Sequence, residues 1–259
     1  MITIKTPEEV GKMRVSGALL HQVLDALRKE VAPGVTTHHL DQMAERMIRD
    51  AGAVPSFKGF EGYKYTLCTS VDDHVVHGFP NKTPLKEGQL LSIDAGLVLD
   101  GWQADSAFSV AVGEADEDTK RLIKVTEECF WLGASMAREG NRLGDIGHAI
   151  QEHAEKYGYG VIRDLCGHGI GREMHEDPNV PNYGKPGRGV KLQAGMVLAI
   201  AAFWLFGWMV LDIAKRTGYT AFDKIILHGT HPVLRGFFSA VFLLFLFGCM
   251  MGMIAGSGA

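Results

Sequence analysis

Residues 89–112 read QLLSIDAGLVLDGWQADSAFSVAV. Two apolar runs, 89–98 and 102–112, flank Asp100-Gly101, and an Asp-Gly pair in that setting is the strongest short-range signal for a two-residue hairpin. If these two residues form the loop, facing positions sum to 201, so Asp94 lies opposite Ala107 and Asp105 opposite Gly96. Asp94 and Asp105 then share one face as diagonal neighbours, with Cβ atoms about 7 Å apart or less. A single aspartate in a strand is ordinarily an edge or turn residue. Two on one face of apolar strands cannot both stay ionised without a cation, because like charge and desolvation each penalise the anion. A bound divalent metal resolves that conflict.

Upstream of the hairpin, Thr6-Pro-Glu-Glu9 forms a capping box with proline at the first helical position. Val10, Met13, Leu20, Val23, Leu24 and Leu27 then recur at helical spacing, which predicts a helix to about residue 31. After the Pro33-Gly34 break, Leu40, Met43, Ala44, Met47 and Ile48 predict a second helix, stopped at Gly52. A similar pair recurs about a hundred residues later, over 119–138 and 143–157 around Gly140. Each pair leads into strand-like sequence, 65–71 in the first case, so the chain reads as two related halves.

The composition is that of a globular chain: 259 residues, 46% hydrophobic and 22% charged, enough for a sizeable core and unlike disordered or collagenous sequence. With 26 basic against 30 acidic residues there is no broad basic field to hold a phosphate backbone, so no nucleic-acid partner is expected. Cys68, Cys129, Cys166 and Cys249 lie far apart without a CxxC pair, which fits a reducing compartment. The first residues, MITIKTPEEVGKMR, lack the pattern of a secretory signal. A cytoplasmic location is the expectation.

The sequence changes character after residue 200. The preceding part carries a net charge of −6 and the remainder +2, and the remainder has no glutamate, the last being Glu176. Two domains are therefore expected, 1–200 and a hydrophobic tail 201–259. Within the tail, 236–256 (GFFSAVFLLFLFGCMMGMIAG) is uncharged and long enough to cross about 30 Å of hydrocarbon as a helix, so membrane contact through it is one reading. The run 194–211 reaches only the lower edge of spanning length, and a buried strand over 196–200 would use its first part.

Histidines mark the remaining chemistry. Residues 166–184 read CGHGIGREMHEDPNVPNYG, with His168 between glycines that allow close backbone approach and His175 seven positions on. Residues 70–80, SVDDHVVHGFP, bring His77 to the point where an apolar run opens into a loop.

Together with PSFKGF at 55–60, SIDAG with a second Asp eleven residues on, and LQAGMVLAI at 192–200, these motifs closely resemble the type I methionine aminopeptidases. The resemblance covers residues 1–200 in the family's order. It implies an α+β pita-bread fold, with helices outside a curved antiparallel sheet, pseudo-two-fold halves, and a metal site at the centre. It implies a metal-dependent hydrolase that removes the N-terminal methionine of nascent proteins, with peptide N-termini as partners. Asp94, Asp105 and His168 match three of the family's five metal ligands, and His77 and His175 match histidines that contact the substrate. Phe60, Tyr63, Cys68 and Met174 match the pocket for the methionine side chain, a thioether suited to an apolar, aromatic-edged slot.

The match departs at the site itself. Family members follow GMVLAI with Glu-Pro, whereas here Ala201 and Ala202 stand there, and no glutamate follows to supply the family's last ligand. Two ions are implied by the resemblance and one by the ligands that remain, with cobalt, manganese, iron and zinc all compatible with carboxylate and imidazole donors. Weak binding of a second ion and slow turnover are the expectation. The alternatives are a non-catalytic module that binds peptides or proteins, membrane-anchored through the tail, or a truncated or fused chain.

Overall fold

The structure is a computed structural model that describes residues 1–201. The division at residue 200, the tail and its apolar stretch 236–256 lie outside the described residues. Among those described, no helix is long and apolar enough to cross a membrane.

The first half begins with α1, Pro7–Glu30, and α2, Thr37–Asp50. The expected capping box starts α1: Thr6 Oγ1 accepts the Glu9 N–H at 3.3 Å and Glu9 accepts the Thr6 N–H at 2.9 Å. Short β1, Val54–Pro55, then β2, Leu67–Val71, β3, Leu90–Leu99, and β4, Trp102–Ala111, form an antiparallel sheet. Both β1 and β2 pair with one side of β3, and β4 pairs with the other. The turn between β3 and β4 has positive φ at both Asp100 (52°) and Gly101 (76°), the conformation that favours Asp-Gly.

Alternation along β3 divides the sheet into two faces. Leu91, Ile93, Ala95 and Leu97 are completely buried and pack with Leu20, Leu27, Leu40 and Ile48 of the two helices. Burying each such side chain contributes roughly 1.5–3 kcal/mol, so this face fixes the register. Ser92 and Asp94, both partly buried, point to the opposite face.

The second half repeats the plan. Helices α3, Glu117–Met136, and α4, Leu143–Lys156, cover a three-stranded antiparallel sheet of β5, Cys166–Gly169, β6, Glu176–Pro181, and β7, Leu198–Ala199. Its core is Val125, Cys129, Ile146, Ile150 and Val180. The halves match in detail. Gly34 and Gly140, both with positive φ, precede α2 and α4. The Gly34 N–H donates to Leu85 O at 2.8 Å, and the Gly140 N–H donates to Leu192 O at 3.2 Å. Bridges Thr36 to Pro84 and Arg142 to Lys191 occupy corresponding places. A bond from Gln103 N to Gly171 O, 2.9 Å, links β4 to the chain following β5, so the two sheets meet.

Candidate metal centre and substrate cleft

The register is the one the sequence predicts, with Asp94 opposite Ala107 and Asp105 opposite Gly96. The two carboxyls share one face as diagonal neighbours. Burial first, then the charge of Asp105 and a hydrogen bond with it, push the Asp94 carboxyl well above the usual carboxylate range. On the other side of Asp105, its Oδ2 lies 3.4 Å from His168 Nε2, with both side chains less than one-fifth exposed. The pairing of β5 with β6 and β7 is what carries His168 to this point from the second half.

His168 Nδ1 lies 2.9 Å from Gly169 O. A carbonyl only accepts, so Nδ1 carries a proton there and Nε2 is directed at the carboxyls, as in histidines that ligate metals. Burial alone would depress the His168 imidazole, but the Asp105 hydrogen bond and the Gly169 carbonyl outweigh it and hold its pKa above the ordinary value.

The other expected residues surround this chain. The His168 and His175 rings are 4.5 Å apart between centroids, at 68°, and Phe60 lies 6.0 Å from His175. His77 is within electrostatic reach of His175. Both His77 and His175 are exposed to the cleft, yet protein on several sides pushes their imidazoles below the ordinary pKa, burial being the leading cause for each. Cys68 pairs with Asp94 across the β2–β3 ladder, and burial pushes its thiol up to about 12. The Tyr63 hydroxyl, donating to Leu67 O at 2.8 Å, sits beside that thiol. Met174 is buried directly before His175.

Sequence reasoning missed two aromatics of this cluster. Tyr65 lies 5.8 Å from Tyr63, and Phe79 lies 5.6 Å from Tyr63 and 6.1 Å from Tyr65. The Tyr63-Lys-Tyr65 alternation and the Gly78-Phe79 step after His77 were the available signals. It also missed Lys5, whose buried ammonium lies 2.7 Å from Glu176, the residue after His175.

Two carboxylates and an imidazole, held where unpaired charge is costly, are donors that suit a divalent cation. They form a chain from Asp94 through Asp105 to His168. Among the described residues, no three His, Cys, Asp or Glu side chains are drawn together closely enough to hold an ion as they stand.

The profile of metallopeptidase family M24 matches residues 11–231. The chain belongs to that family. The match continues past residue 200, where the resemblance noted above stopped. Among methionine aminopeptidases, the chain is 52% identical over 201 residues to that of Clostridium acetobutylicum, covering 77% of this chain and 80% of the relative. It is 46% identical over 200 residues to methionine aminopeptidase 1 of Bacillus subtilis, covering 77% and 81%. The crystal structure of the Rickettsia prowazekii methionine aminopeptidase superposes with a TM-score of 0.76 at 41% identity, over 77% of this chain and 81% of that one. Within the M24 family, then, this is a type I methionine aminopeptidase-like metallohydrolase with the pita-bread fold. The family's chemistry depends on divalent metal ions.

Proposed function

We propose that this chain removes the initiator methionine from peptide N-termini, with Asp94, Asp105 and His168 holding the metal. The observation that carries the reading is the convergence of Asp105 with His168 from opposite halves of the molecule, 3.4 Å apart, beside the Asp94 carboxyl. Asp94, Asp105 and His168 would hold a divalent ion, which would supply hydroxide at neutral pH and polarise the scissile carbonyl. The chain's own residues do the remainder. Tyr63, Tyr65 and Phe79 form one aromatic cluster and Phe60 packs on His175; with Cys68 and Met174 they would receive an unbranched thioether side chain. His77 and His175, kept neutral at pH 7, can accept or donate a hydrogen bond to the peptide at the scissile bond.

The number of ions follows from the ligands. Three donors suit one ion well and leave a second short of anionic partners, so one tightly held ion is the expectation, with its identity set by supply. General acid and base assistance is worth about 10²- to 10⁴-fold, so turnover with alanine at position 201 should be slow rather than absent. The division into 1–200 as the catalytic domain and 201–259 as a separate segment belongs to the same reading.

The test is hydrolysis of Met-Ala-Ser by the full chain across manganese and cobalt titrations, with Asp105→Asn as the blank. Metal-dependent release of methionine above the blank supports the enzyme. Turnover equal to the blank in a folded protein would replace it with a peptide-binding module.

A further inference from the structure

His77 stands in a backbone conformation that a non-glycine residue seldom adopts, φ 59°. Such strain persists only where the surroundings over-determine it. The restraint comes from the next residue. Strand β2 is hydrogen-bonded to β3 on one side, and Gly78 lies along its other edge. Thr69 N donates to Gly78 O at 2.8 Å, and Gly78 N donates to Ser70 Oγ at 3.2 Å. The approach is so close that a Cβ on Gly78 would lie 2.2 Å from Thr69 O, which explains the glycine. Ser70 is 3% exposed and fixed by the ladder, where it faces Ser92; Ser92 Oγ in turn lies 2.8 Å from Ser109 Oγ.

We infer that Ser70 is a positioning residue: by accepting the Gly78 N–H across the edge of β2, its hydroxyl holds His77 in the cleft. This rests on the reading of His77 as a substrate contact. Neither partner of that hydrogen bond touches substrate. Ser70 acts through the backbone of residues 77 and 78, whose geometry is set by one side-chain acceptor and one ladder bond. Without the acceptor, the buried Gly78 N–H is left unsatisfied, and the backbone at His77 is free to relax toward the extended region, carrying the imidazole away.

The experiment compares wild type, Ser70→Ala and Ser70→Thr by three readouts: amide hydrogen exchange at Gly78, thermal unfolding, and kcat and KM on Met-Ala-Ser with manganese. For Ser70→Ala the expectation is faster exchange at Gly78 with Ile93 and Leu91 still protected, kcat lower by about tenfold, and KM within about twofold. Ser70→Thr keeps the acceptor and should restore both Gly78 protection and kcat. Unchanged Gly78 exchange in Ser70→Ala overturns the inference. So does a general loss of protection across β2 and β3 with kcat unchanged for the folded fraction, which would make Ser70 only a packing residue. Absence of turnover in the wild type would count against the proposed function instead, and the Gly78 exchange would still decide whether Ser70 restrains the backbone at residues 77 and 78.

Discussion

Burial, and then the charge of Asp105, hold the Asp94 carboxyl well above the usual carboxylate range in the metal-free protein, so Asp94 favours keeping its proton. Beside it, burial lowers the His168 imidazole, but the hydrogen bonds with Asp105 and the Gly169 carbonyl outweigh that and raise it, so it too favours its proton. Any divalent ion taken up here must displace those protons. Titrating manganese into metal-free protein at pH 7 should therefore release about one to two protons per ion bound. Calorimetry in buffers of different ionisation enthalpy measures the number, and a value of zero would mean that Asp94 is already ionised before binding. The carboxylate pair was legible in the sequence because Asp100-Gly101 fixes the register, and the register alone decides which residues share a face. The tilt of His168 toward Asp105 was not legible. It depends on β5, which lies between β6 and β7 in the sheet although both follow it in sequence, and no local pattern encodes that pairing.

At the scale of elements, the two halves repeat one plan of a helix pair packed on an antiparallel sheet, which gives Asp94 a counterpart in the second half. Leu85 and Leu192 make equivalent bonds to the turns before α2 and α4, and they stand 107 positions apart. The same step from Asp94 leads to Ala201. Residue 201 lies two positions beyond the end of β7, whereas Asp94 lies within β3, and β7 is ladder-paired with the strand bearing His168. The helix pairs that make this repeat visible were readable from their apolar spacing and their glycine stops. The strand expected over 196–200 contains β7, whereas β5 was not readable, because four residues carry too little alternation. A carboxylate at position 201 should thus add a ligand from the second half. Ala201→Glu is expected to tighten manganese binding by about tenfold or more, the order of one good charged ligand. Equal affinity in the two proteins, measured by the same titration, would remove position 201 from the site.

At the scale of the whole molecule, the N-terminal segment is tied into the second half by a buried ion pair. Lys5 Nζ donates to Glu176 Oε2 at 2.7 Å, the two side chains being 2% and 12% exposed, and Lys5 N donates to Gly195 O at 2.8 Å. Glu176 also accepts the N–H groups of Arg172 and Glu173, so one carboxylate organises the loop that carries Met174 and His175. A contact spanning 171 positions leaves no trace in local spacing, which is why it escaped the sequence reading. Burial raises the Glu176 carboxyl, but the Lys5 hydrogen bond and the two backbone donors together bring it below its ordinary value. The sign follows from that depression. Stability from this group is fully present above the unfolded-state pKa of about 4.3 and is lost as pH falls through the lower folded-state value. Glu176→Gln leaves the Lys5 ammonium buried without its partner, and that should destabilise the fold by about 3–5 kcal/mol at pH 7. The variant should also lose part of the wild type's fall in stability below about pH 4.3. Urea unfolding at a series of pH values from neutral to acid measures both effects. A variant as stable as wild type at pH 7, with the same acid limb, would mean that the N-terminal segment is held by Gly195 and the packing around it rather than by the ion pair.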